Sequence, residues 1–278
     1  MTQSREYILG HSADAARRLA IQDAHFGDTS EKLLDDLPIC PGDRVVELGC
    51  GPGSFSKRIL QRLGPGGVLI GVDASQGLLK QADAMLADRR FQPTLADITT
   101  LGTWLDGADV VIGRAVLHHV PMAEFLLGRL RARLKAGTRV GFIEPDFRSP
   151  LARLAYLQAT GRPELAPLGI WATAINNLYL ANRISPDVGA TLAQTLRTAG
   201  YANVRGDWSE CRSDGLMIEN MLMFYDEVRD RLATLGIMTA AEVTEQQRLL
   251  RELAPEKLPA AWGIFRVASE VAGGAEQH

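Results

Sequence analysis

Glu47, Gly49, Gly51 and Gly53 stand at every second position of Glu47-Leu48-Gly49-Cys50-Gly51-Pro52-Gly53, so an acidic side chain precedes three points where the main chain carries no Cβ. That spacing lets the backbone turn sharply and lets a ligand lie against main-chain atoms. Asp73 ends the apolar run Val68-Leu69-Ile70-Gly71-Val72. A carboxylate there can accept hydrogen bonds from both hydroxyls of a ribose, or can cap a helix that begins near Ser75. Asp97 ends a third run and is followed by the apolar Ile98. His118 and His119 bring imidazoles, which titrate near neutral pH and can take a proton from an acceptor. Glu144 and Asp146 flank Pro145, where they either orient an acceptor amine or hydroxyl or end a strand in solvent.

These groups need a scaffold that brings them to one edge. Residues 44–48 read as a buried parallel strand and 55–63 as an amphipathic helix. Gly64-Pro65-Gly66-Gly67 marks a turn before the second strand, and further strands follow over 91–98, 108–113 and 138–143. In an open parallel sheet the ligand lies at the carboxyl ends of the strands, where the acidic residues are placed. A dinucleotide loop wants glycines at relative positions one, three and six. The sixth position is Ser54 counted from Gly49 and Ser56 counted from Gly51, and Pro52 removes an amide donor.

The loop from Val45 to Ser54, with Asp73, Ala96-Asp97-Ile98 and the segment 108–121, resembles the ordered motifs of class I S-adenosylmethionine-dependent methyltransferases over about residues 38–147. The resemblance implies an α/β, Rossmann-like, seven-stranded and mostly parallel sheet with helices on both faces, an antiparallel last strand and a helical cap. It implies S-adenosyl-L-methionine as cofactor, held by Glu47, Gly49, Gly51, Gly53, Asp73 and Ala74. Asp97 would meet the exocyclic amine of adenine and Ile98 its ring, while Arg114 and Ala115 would meet the methionine end. Tyr7 and His11 belong to an N-terminal piece that similar enzymes close over the cofactor. His118 and His119 sit where a general base would, in a loop that similar enzymes also use structurally. Gly113-Arg114-Ala115 stands where a metal-assisted mechanism would want acidic ligands, so no metal is expected.

The rest of the chain bounds the acceptor. The 278 residues, 46% hydrophobic and 23% charged with a net charge of −3, describe an ordinary globular protein without the basic face that nucleic acid requires. No stretch approaches a membrane span, the N-terminus lacks the apolar core of a secretory signal, and three cysteines without metal spacing fit a reducing cytoplasm. A single domain over 1–278 is expected, with a core near 30–147, 186–210 and 259–272. A cap is expected from 1–29, 148–185 and 212–258. Residues 148–185, rich in alanine and leucine, suit a largely apolar pocket for a small-molecule acceptor, and Glu144, Tyr156, Trp171, Tyr179, Met217 and Met221 are its candidate contacts. The long helical span near 216–253 fits a substrate cap or a homodimer interface. Family frequencies favour oxygen or nitrogen over carbon as the acceptor atom. Two rival functions stay open: non-methylating chemistry such as cyclisation on the same cofactor, and an inactive regulatory subunit.

Overall fold

The computed structural model describes residues 13–211, 214–259 and 262–272. Its strands are β1 (Arg44–Leu48), β2 (Val68–Asp73), β3 (Phe91–Leu95), β4 (Val110–Arg114), β5 (Arg139–Asp146), β6 (Tyr201–Glu210) and β7 (Gly263–Val271). Its α-helices are α1 (Ala13–Asp36), α2 (Ser54–Arg62), α3 (Gln76–Leu86), α4 (Ala123–Arg133), α5 (Ser149–Ala159), α6 (Ala166–Ala181), α7 (Val188–Thr198), α8 (Gly215–Thr234) and α9 (Ala240–Arg251).

The strands form one sheet in the order β3-β2-β1-β4-β5-β7-β6. β1, β2 and β4 are almost wholly buried, the pattern of parallel strands covered on both faces. Their register sets Leu48 beside Val72 and Gly113, so the strands on either side of β1 end level with it. β7 is antiparallel and enters between β5 and β6. Val271 N–H donates to Thr138 and Gly137 N–H donates to Val271, both at 2.9 Å, and Ser269 Oγ reaches Val140 at 3.0 Å.

The chain divides into two units. The sheet unit comprises 26–145, 188–209 and the residues from Ile264 on. One face of its sheet is packed by Val46, Ile70, Val111 and Phe142 against Leu127, Leu130, Leu192 and Leu196 of α4 and α7. α7 comes close to β5 because residue 189 is glycine: a Cβ there would stand 2.6 Å from the carbonyl oxygen of Glu144 and 2.7 Å from that of Pro145.

The helical unit comprises the residues up to His25, 146–187 and 210–263. An aromatic cluster forms its core, with Phe147 edge-on to Tyr179 at 5.4 Å, and Trp171 edge-on to Phe224 at 5.5 Å and to Trp262 at 5.8 Å. The helical span expected near 216–253 is two helices. Gly236 takes φ +66° after α8, and Thr239 starts α9 with a capping box in which its hydroxyl accepts from Glu242 N–H while Glu242 accepts from Thr239 N–H. α1 runs through to Asp36, and β6 runs to Glu210.

Gly189→Ala tests the closeness of α7 and β5. Alanine is the better helix former by about 1 kcal/mol. The new methyl nevertheless meets main-chain oxygens that cannot turn aside, so urea unfolding should show a loss of about 1–3 kcal/mol. A stabilised variant would mean the helix is free to shift.

Candidate functional site

The main chain turns back on itself after β1. Gly49, Gly51 and Gly53 take φ of +66°, +54° and +93°, the left-handed region where a side chain is strained. Gly49 and Cys50 N–H both donate to Val72 carbonyl, at 2.8 and 3.1 Å, which ties the loop to the end of β2. Gly49 is needed twice, since a Cβ there would lie 2.5 Å from Val116 Cγ2. Gly51 differs: nothing comes within 4 Å of where its Cβ would be. Its bare main chain borders open space, which fits a cofactor lying against the loop.

Two carboxylates organise this turn. Asp73, at the end of β2, accepts from Gly51 N–H at 2.9 Å through Oδ2 and from Ser75 N–H at 2.8 Å through Oδ1. The helix cap is Ser75, whose hydroxyl accepts from Leu78 N–H. A carboxylate offers about four acceptor sites, so one such group can serve both a loop and a pair of ribose hydroxyls. Glu47 is buried in β1 and takes a hydrogen bond of 2.5 Å from Ser56 Oγ on α2. Burial pushes its carboxyl up to about 7, while Ser56 and the charge of Arg114 pull the other way. Arg114, at the end of β4, stacks its guanidinium on Phe55 at 5.0 Å and Phe26 at 5.8 Å and donates to Ser30 Oγ at 3.1 Å. Ser56 was not legible as a site residue, because a serine among Phe55, Ile59 and Leu60 reads as an ordinary helix position.

The loop after β4 is held by Glu144. Its side chain is fully buried, not the solvent-exposed strand end weighed from the sequence, because β5 continues to Asp146 and α7 packs over it. Oε1 accepts from Val116 N–H at 2.9 Å and Leu117 N–H at 2.7 Å, and Oε2 lies 2.7 Å from His118 Nδ1. His118 is buried and its ring lies 4.0 Å from that of His119, centre to centre. Ala115 takes φ +53° as the chain leaves the strand, its N–H bonded to Ile143 carbonyl at 2.8 Å.

The remaining candidates divide by place. Asp97 is exposed and accepts from Thr99 N–H at 2.8 Å; Ile98 is buried in the core and Ala74 is exposed, each just past the end of its strand. Tyr7 and His11 lie outside the described residues. Of the expected acceptor contacts, Tyr156 is 67% exposed on α5, whereas Trp171, Tyr179, Met217 and Met221 are buried in the helical unit. None of these five lines that unit's cavity of about 430 Å³, which is walled by Leu151, Ala155, Ile170, Ala174 and Met238 with Asn177 as a polar contact. The large aromatic and methionine side chains are spent on packing the helices together, and smaller residues of α5 and α6 leave the space. Glu144, engaged by the loop, is likewise not placed as an acceptor contact.

Comparisons with known proteins agree with this geometry. The family model described as a methyltransferase domain matches residues 46–140. Trans-aconitate 2-methyltransferase of Variovorax paradoxus is 34% identical over 141 residues, 50% of this chain and 53% of that protein. Aklanonic acid methyltransferase DauC of Streptomyces sp. is 25% identical over 72% of this chain and 92% of its own. The chain spans about half the length of the first curated relatives it matches. The cyclopropane synthase MmaA2 from Mycobacterium tuberculosis shares the fold at a TM-score of 0.60 with 12% identity, covering 94% of each chain. Residues 46–140 thus match a methyltransferase-domain family, and the glycine loop, the carboxylates near the strand ends and the seven-stranded sheet are those expected of a class I S-adenosylmethionine-dependent methyltransferase.

Proposed function

We propose that this protein transfers a methyl group from S-adenosylmethionine to a small organic acceptor. The observation that carries the reading is the loop 49–53, with its main chain bare at Gly51 and that residue's N–H fixed by Asp73. When bound, the cofactor supplies a methyl group on a positively charged sulfur. Asp73 would hold the ribose, Asp97 and Ile98 the adenine, and Gly49, Arg114 and Ala115 the methionine end. Glu47, buried beside the loop, favours a cationic ligand over a neutral one, since an added positive charge relieves the cost of ionising it.

Transfer needs an acceptor atom aligned about 3 Å from the methyl carbon, and alignment alone supplies much of the rate. A base is needed only for an acceptor that arrives protonated. The neutral, mostly apolar cavity wall of the helical unit, with Gln158, Thr173 and Asn177 as polar contacts, supports a weakly charged small molecule bearing carbonyl or hydroxyl oxygens as the ligand of that unit. Incubation with labelled S-adenosylmethionine and a panel of such compounds, read by mass spectrometry, should give methylated product and equimolar adenosylhomocysteine. Conversion without adenosylhomocysteine would instead favour rearrangement chemistry.

Calorimetry provides the test of Asp73. Asp73→Ala should weaken S-adenosylmethionine binding by about 1.5–3 kcal/mol, the worth of charge-assisted hydrogen bonds. An unchanged affinity rules out the ribose assignment.

Glu47 gives a stability test on the cofactor-free protein. A carboxyl that titrates at about 7 when folded and at 4.5 when free binds more protons folded than unfolded between those values. Its contribution therefore favours folding below pH 4.5 and turns against it as pH rises to about 7. Glu47→Gln removes that dependence, and relative to the parent it should gain up to about 3 kcal/mol at pH 8 over its standing at pH 5. Urea midpoints at the two pH values decide it, and parallel curves for both proteins would show that Glu47 is ionised at no such cost.

A further inference from the structure

Three successive main-chain N–H groups, of Val116, Leu117 and His118, turn toward Glu144 at 2.9, 2.7 and 3.3 Å. The same carboxyl group meets the His118 ring at Nδ1, 2.7 Å away, in a place closed to solvent. Amide protons have only acceptors to bond to, so the group opposite them is best an ionised carboxylate, which is acceptor on every side. Facing such an oxygen, Nδ1 carries an imidazole proton. The loop so fixed reaches the glycine turn: Val116, bonded to Glu144 through its N–H, puts its methyl where a Cβ of Gly49 would be, at 2.5 Å, and crowds Gly113 at 2.9 Å. One side chain thus sets both the ring state of His118 and the seat of the loop 49–53.

We propose that Glu144 is a positioning residue of the methyl-transfer site, holding His118 with its proton on Nδ1 and seating Val116 beneath the cofactor loop. The inference rests on the function proposed above.

Glu144→Gln is the informative variant. Its amide oxygen can keep the Val116 and Leu117 hydrogen bonds, while its NH2 now faces Nδ1 and can only donate. The His118 proton should then move to Nε2. In ring ¹⁵N spectra, with the His118 signals assigned by their loss in His118→Gln, the protonated and unprotonated nitrogen resonances should exchange places. Binding of S-adenosylmethionine should stay within about threefold. Glu144→Ala leaves three buried N–H groups without an acceptor and should bind the cofactor at least about tenfold more weakly. If Glu144→Ala does not fold, the tautomer of Glu144→Gln decides by itself. A wild-type tautomer in Glu144→Gln overturns the proposal, as does Glu144→Ala binding the cofactor like the parent. Failure of the parent protein to bind S-adenosylmethionine would instead refute the functional reading and leave the tautomer result standing.

Discussion

Backbone N–H groups that leave a parallel sheet at its carboxyl edge have no further strand to bond to, and here they bond to carboxylates. Asp73 takes those of Gly51 and Ser75, and Asp97 takes that of Thr99. Glu144 takes those of residues 116–118. Each carboxylate stands within two residues of a strand end and fixes the loop beside it. A buried amide without a partner costs about 1–3 kcal/mol, which makes these few side chains the condition for the loops having one shape.

The same arrangement concentrates negative charge where solvent is scarce. Burial raises the carboxyl of Glu47 to about 7, it raises that of Glu144 to about 7 against the pull of the amides of residues 116–118 toward the ionised form, and it drives the Cys50 thiol well above its ordinary range. A site that is costly to ionise when empty is relieved by a ligand carrying positive charge.

Much of this was legible in the residues, and the limits are physical. Val45-Val46-Glu47-Leu48 and Val68 to Asp73 announce themselves as buried strands because both faces are apolar, and left-handed turns leave glycine at 49, 51 and 53. Asp73 was readable for the same local reason. Glu144 was not, since its partners lie 26 to 28 residues earlier and only the pairing of β4 with β5 brings them together. The acceptor side was the least readable part. Trp171 and Tyr179 look like pocket residues by type, yet type does not say whether an aromatic ring packs a core or lines a space. The break between α8 and α9 depends on one glycine and one threonine in a sequence otherwise helical throughout.

The place of β7 bears on how the chain comes to be folded. The last strand is not at an edge but enters between β5 and β6, both of which are synthesised before it. Until it arrives, each of those strands offers an unpaired edge, the kind of surface that recruits other chains. The helical unit is in the same position, drawn from three stretches that end at Gly263. Neither unit can therefore close until synthesis has passed Gly263, and native structure depends on pairings distant in sequence, which form slowly. For a nascent chain of this topology, the dangerous interval is the one in which β5 and β6 have emerged and β7 is still in the exit tunnel.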